Sequence, residues 1–393
     1  MKKIMILGAG IYQVPLIKTA KKMGLYTIVV SIPGNYPGFK LADKVYYENT
    51  VDDEKILEIA REEKIDGIIT TGTDVAVITI GKVCDAMGLS GLSYEAAKIA
   101  VDKMLMKSKY EEYGVRTARF REVYFNDPDV KKTISGLNFP LIFKSVDSSG
   151  SRGIIRVDSF DEFESATAYV KENTRKDYYL IEEFVEGEEF GAQAFVYDGE
   201  LQFILPHGDY VFHGDTGVPI GHFAPYNLSE EVIEDCKKQL RAAAAAMGLN
   251  NCAINADFIL KDDKTYVLEL GGRAGATCLT ELTAIYYGFD YYEKILLTAL
   301  GQDPHFECDG PFTPNASHLL MSDRDGVIVS QTDHNGENDD IVEVQFDYKP
   351  GDPVHKFHVG PHRLGHIITK GRTLEEAQDL LFKAMDKVEI VVE

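Results

Sequence analysis

The chain has 393 residues and a formal charge of −22, from 41 basic and 63 acidic side chains. One hydrophobic core does not grow to that length, so two or three are expected, and the negative field disfavours nucleic acid and anionic membrane as partners. Cys84, Cys236, Cys252, Cys278 and Cys308 form no C-x-x-C pair, which argues against a disulfide framework or zinc site. The apolar run 4–7 breaks at Gly8 without a cleavage site, and no stretch nears the ~18 apolar residues of a membrane helix, so cytoplasmic residence is expected.

From Lys3 a short apolar strand runs into Gly8, Ala9 and Gly10, then a helical pattern to Met23 and a second strand over 27–31. The glycine turn invites a dinucleotide reading, but the third glycine of that fingerprint is Gln13 and the acid ending the second strand is Ser31. A tight strand-to-helix turn is the better reading. A helix near Ile56, Ile59 and Ala60, a strand over 67–70 and a helix over 75–87 continue the alternation. This pattern predicts a doubly wound α/β domain over 1–95.

A single helix over 94–113, closed by Gly114, is predicted to join that domain to the next. Strands over 141–146, 153–157, 179–184, 191–197 and 201–205, with turns at Asp198 and Gly199, then point to antiparallel pairing. Helices over 161–172 and 230–247 make this region α+β, spanning 96–310 in two halves, about 115–185 and 186–310. A third α+β piece, 311–393, closes with a strand over 366–369 and a helix whose start at Thr373 and Glu376 has capping-box spacing.

Chemistry-bearing residues recur in a fixed order from Lys103 to Arg273. Lys144 ends an apolar strand, where a charge needs a partner, and Ser148, Ser149, Gly150, Ser151 and Gly153 follow in a loop small enough for its N–H groups to wrap phosphate oxygens. Glu182, Glu183, Phe184 and Val185 turn through Gly187 to Glu189, an edge that suits adenine with a carboxylate for ribose hydroxyls. Further on, 255–271 reads as a hairpin turning at 262–264, on which Asp257 and Glu269 meet across the ladder on one face. Opposed like charges destabilise unless a cation lies between them, so this pair points to Mg²⁺ with shared phosphate oxygens. Arg273 adds a planar fork for a carboxylate or a transferring phosphoryl group.

This ordered set resembles the ATP-grasp superfamily over most of the chain, in the branch holding biotin carboxylase, carbamoyl-phosphate synthase large subunits, D-alanine:D-alanine ligases and L-amino acid ligases. The resemblance implies a pre-grasp α/β domain, two α+β halves gripping ATP, and a C-terminal α+β piece. By its pattern Lys103 and Lys144 are the phosphate lysines and 148–153 the lid loop. Glu182 to Val185 form the adenine hinge, Glu189 is the ribose acid, and Asp257 and Glu269 are the metal acids. Arg273 closes the family's E-x-N-x-R, whose asparagine is Gly271 here. Asn255, or substrate oxygens and water, would then complete the metal shell.

What the resemblance implies chemically is an ADP-forming ligase using Mg·ATP, or Mn²⁺ in its place. A small-molecule carboxylate attacks the γ-phosphorus and gives an acyl phosphate; Arg273 steadies it while an amine, such as that of an amino acid, attacks. A homodimer is compatible with this reading. No motif identifies a general base; His207, His213 and His222 fall in one stretch, as substrate contacts or as surface histidines. Two other readings stay open: a bicarbonate-activating carboxylase-like enzyme, and an ATP-binding module without turnover.

Overall fold

A computed structural model describes residues 1–148, 152–212, 214 and 217–393. Its first layer is a parallel sheet in the order Lys44–Tyr47, Tyr26–Ser31, Lys3–Leu7, Gly67–Ile69. Ile4, Met5, Ile6 and Leu7 are all fully buried, as befits a central parallel strand covered on both faces. Its sequence is accordingly apolar throughout, without alternation. Strand order reverses beside Lys3–Leu7, which opens a crevice at the carboxyl ends of that strand and of Gly67–Ile69. Gln13 bridges this crevice: its Oε1 accepts from Gly10 N at 2.9 Å, and its Nε2 donates to Thr71 O at 2.6 Å. The side chain that departs from the dinucleotide fingerprint therefore occupies the turn itself.

The single helix expected over 94–113 is two helices, Tyr94–Val101 and Lys103–Tyr113. They break at Asp102 (φ −122°, ψ 107°), whose carboxylate accepts from Met104 N and Leu105 N at 3.0 and 3.2 Å. Aspartate gains more by satisfying free N–H groups at a helix start than by continuing a helix. Lys103 is thereby placed in the first turn of a new helix.

Two antiparallel sheets follow. One has the order Phe120–Tyr124, Tyr178–Glu183, Leu141–Lys144, Ile154–Val157, and packs Phe143 and Tyr179 against the helix Phe163–Glu172 through Phe163, Ala166 and Val170. The other has eight strands: Lys264–Gly271, Cys252–Lys261, Glu188–Tyr197, Glu200–Val211, Pro219–Ala224, Asn315–Leu320, Gly365–Lys370 and Ile341–Phe346. Its last three strands come from beyond residue 311, so the C-terminal piece extends the central sheet through the pairing of Pro219–Ala224 with Asn315–Leu320. Eight strands lie outside the sequence expectation: Lys44–Tyr47, Phe120–Tyr124, Pro219–Ala224, Asn315–Leu320, Gly326–Asp333, Ile341–Phe346, Pro353–Val354 and Val388–Val392. Lys44–Tyr47 is an edge strand with polar ends, and Val388–Val392 pairs with Gly326–Asp333 in a small three-stranded sheet.

On one face of the eight-stranded sheet, Phe190, Phe258, Val267 and Leu270 bury against Leu240, Ala243 and Met247 of the helix Glu230–Met247. Successive side chains alternate across a strand, so Gly191 and Asp257 take the opposite face, and the register shift after Asp257, which skips Leu268, brings Glu269 to that face as well. Among the described residues, no helix is long and apolar enough to cross a membrane.

Candidate active site

The ladder between Cys252–Lys261 and Lys264–Gly271 sets Asp257 directly opposite Glu269. Burial, then the charge of Glu269, pushes the Asp257 carboxyl up to about 8. Glu269 is met by Lys103, whose Nζ lies 3.0 Å from Oε1 and also donates to Ser148 O at 2.9 Å. The ammonium thus stands where two opposed acids call for positive charge. The donor set fits a divalent cation of the Mg²⁺ type: hard carboxylate oxygens from paired strands, close enough to repel without one.

Arg273 leaves the end of the same hairpin, and Asp74 of the N-terminal domain grips it bidentately, Nε to Oδ1 and Nη2 to Oδ2, both at 2.8 Å. Asn255 accepts from Gln193 Nε2 at 2.6 Å, and Gln193 Oε1 accepts from Gly275 N at 2.9 Å. Asn255 is therefore tied to the strand beside it while sharing the face of Asp257.

Lys144 reaches Glu182 at 2.7 Å, and Lys107 reaches the same carboxylate at 2.8 Å. Glu182 is 2% exposed; burial pushes its carboxyl up, but the two lysines outweigh burial and hold it at about 2. The expected hinge thus splits by strand alternation. Glu182 turns inward to the lysines, and Glu183 turns outward, where Arg119 Nε donates to it at 2.8 Å and Asn138 N at 2.7 Å. Phe184 N donates to Pro140 O at 2.9 Å, and its ring lies 4.5 Å from the Arg156 guanidinium. Val185 is half-buried, and Glu189 is exposed two positions before Gly191, on the face of Asp257. Ser148 Oγ donates to Asn173 O at 2.5 Å, and Gly153 O accepts from Ser145 N at 2.8 Å. Ser149, Gly150, Ser151 and His213 lie outside the described residues.

His207 and His222 converge on Asp209, with Nδ1 to Oδ1 distances of 3.0 and 2.6 Å. Burial pushes the Asp209 carboxyl up, but the two histidines outweigh burial and hold it well below the usual carboxylate range; burial pushes His207 down, toward its neutral form. Gly191 pairs with both Asp257 and His207, which places these histidines on the face of the metal acids. A side chain there would force the ring to move: a Cβ at position 191 would lie 2.1 Å from His207 Cε1. Beyond them a cleft of about 760 Å³ opens between the N-terminal crevice and the C-terminal strands, lined by Lys18, Glu281, Glu343, Arg363 and His366 among others.

Sequence reasoning missed Lys107, Asp74 and Asp209. Lys107 carried a signal, since it follows Lys103 by four residues and so shares its helix face. Asp74 carried none, because only the sheet topology brings the loop after Gly67–Ile69 to Arg273.

These sheets and helices make an ATP-grasp fold, in which Asp257 and Glu269 lie on the eight-stranded sheet, Lys103 comes from a helix and Lys144 from the four-stranded sheet. Residues 137–281 match the ATP-grasp domain, and residues 318–393 match the L-amino acid ligase C-terminal domain 2. The crystal structure of phosphoribosylglycinamide synthetase from Anaerococcus prevotii is 34% identical, with all of both chains covered and a TM-score of 0.88. The chain belongs to the ATP-grasp family of ADP-forming carboxylate–amine ligases. The L-amino acid ligase from Bacillus licheniformis shares the fold at 20% identity and a TM-score of 0.82, covering 100% of this chain and 99% of that one. Alanine–anticapsin ligase of Bacillus subtilis (strain 168) is 24% identical over 294 residues, 67% of this chain and 62% of that protein's length.

Proposed function

We propose that this protein is a cytoplasmic ligase that uses Mg·ATP to activate a small carboxylate as an acyl phosphate and joins it to an amine, with an amino acid as one partner. The observation that carries this reading is the register of Asp257 against Glu269 with Lys103 and Arg273 beside them. Asp257 and Glu269 would hold the cation, Asn255 lying on the same face, and the cation would screen the phosphate charge when bound. Lys103 and Lys144 supply further positive charge to the phosphates, and the backbone at Glu183 to Val185 offers an edge for adenine. Glu189, exposed on the face of Asp257, would accept from ribose hydroxyls.

In this reading, catalysis is chiefly positioning and charge stabilisation. Arg273 steadies the acyl phosphate and the oxyanion that forms on amine attack. The cleft lined by Gly275 to Cys278, just past Arg273 in the chain, carries both signs of charge, with Lys18 and Arg363 against Glu281 and Glu343, which supports a zwitterionic substrate such as an amino acid. The similarity of residues 318–393 to the L-amino acid ligase domain supports the same class.

The test is ADP formation with amino acids and small carboxylates supplied in pairs. Turnover that needs both partners and yields an amide bears the proposal out. Turnover with bicarbonate alone replaces it with a carboxylase-like reaction, and absence of turnover with every pair leaves an ATP-binding module.

A further inference from the structure

Gly271 interrupts the metal hairpin with a position that has no side chain, two residues after Glu269 and two before Arg273. The space beside it is filled from another domain. A Cβ built on Gly271 would lie 3.3 Å from Asp74 Oδ1 and 3.8 Å from Arg273 Cζ, so the Asp74 carboxylate stands where a side chain at 271 would project.

The loop bearing Asp74 is fixed there by bonds on both sides. Gly72 N donates to Ala274 O at 3.1 Å, which ties the loop to the residue after Arg273. Thr71 Oγ1 donates to Tyr12 O at 2.9 Å, and Val77 N donates to Asp74 O at 3.1 Å where the next helix begins. Asp74 also faces Lys103. Burial pushes the Lys103 ammonium down, but Glu269, then Asp74 and Asp257, outweigh burial. Three carboxylates therefore surround two cations. Arg273 donates two hydrogen bonds to Asp74, which leaves about two of the roughly four acceptor positions of a carboxylate for another ligand.

We propose that Asp74 takes the place of the side chain absent at position 271, supplying an oxygen ligand to the metal–phosphate centre from the N-terminal domain. The inference rests on the Mg·ATP reading above. It assigns the crevice of the parallel sheet a part in the metal shell as well as in holding Arg273.

The experiment measures Mn²⁺ affinity of the whole protein with ADP present, from the electron paramagnetic resonance signal of free Mn²⁺. Asp74→Ala is expected to weaken Mn²⁺ binding by on the order of tenfold or more. Adding Gly271→Asn to that variant is expected to restore most of the loss, because the amide oxygen re-enters the vacated space. If Asp74→Ala fails to fold, the same comparison is made with Asp74→Asn, which keeps the size and one acceptor for Arg273 but removes the charge. Equal affinity in wild type and variant would overturn the proposal while leaving the nucleotide reading intact. A loss that Gly271→Asn does not rescue also overturns it, since Asp74 would then act only through domain packing. A wild-type protein that binds no Mn²⁺ with ADP removes the nucleotide reading and this inference together.

Discussion

Lys103 Nζ and Glu269 Oε1 lie 3.0 Å apart, joining a helix start to a strand 166 residues away. From sequence alone the metal acids face each other bare, so that Glu269→Gln would relieve repulsion without lowering the melting temperature. The structure reverses that expectation. Lys103 already offsets Glu269, and burial keeps Asp257 near its neutral form.

Glu269→Gln should therefore leave a buried ammonium without its charged partner and lower the stability of the ligand-free protein by about 1–3 kcal/mol. The wild type should gain about 2.7 kcal/mol from Mg·ATP at one hundred times its dissociation constant, and the variant clearly less. Thermal melting with and without Mg·ATP measures both. An unchanged melting temperature together with the full ligand gain would rule out Glu269 as a metal acid.

Lys107 and Lys144 share Glu182 but should fail differently. Lys107 is 1% exposed, and Lys107→Ala leaves a cavity and a buried carboxylate held from one side only, so a loss of about 3–5 kcal/mol is expected in urea unfolding. Lys144→Ala keeps the Lys107–Glu182 pair. Its fold should persist while ATP affinity, read by calorimetry, falls and ADP formation is lost. Unchanged ATP affinity in Lys144→Ala would remove this lysine from the phosphate site.

Gly191→Ala tests the histidine cluster. The added methyl group would overlap the His207 imidazole, so the ring must shift away from Asp209, at a cost of about 1–3 kcal/mol. Under the proposed function, turnover should fall in the same variant with ATP affinity retained, because His207 shares the sheet face of Asp257 two strands away from it. Wild-type turnover would show that the cluster is structural only.

How much of this was legible in the sequence depends on how far each signal travels along the chain. The parallel sheet was readable because Ile4, Met5, Ile6 and Leu7 form an unbroken apolar run bounded by glycine. That Asp257 and Glu269 lie near each other was readable because one hairpin joins their strands, but their direct opposition comes from a register shift after Asp257 that the sequence does not mark. The break at Asp102 was not, since helix propensity on both sides is strong and only the capping bonds reveal it. Nor was the inward turn of Glu182. Two adjacent glutamates look alike in sequence, and only the neighbouring Lys107 and Arg119 decide which is buried and which faces out. Contacts between domains, such as Asp74 with Arg273, depend on sheet topology and leave no local pattern.

The same buried triad gives a pH signature. Glu182 titrates near 4.5 when unfolded and about 2 when folded, so between these values the unfolded chain binds more protons. Stability from this group is complete above the unfolded value and is lost as pH falls toward the folded one, with a slope of about 1.4 kcal/mol per pH unit for one full proton. Replacing Lys107 and Glu182 together by methionine removes both buried charges at similar volume, which costs less than breaking the pair and leaves a folded protein to measure. Urea unfolding followed from about pH 5 down to about pH 3 should then fall less steeply in the double variant than in wild type. Parallel curves would mean that Glu182 is not ionised in the folded protein. The pairing of Lys144 with it would then be a neutral hydrogen bond, leaving the lysine charge uncompensated before nucleotide arrives.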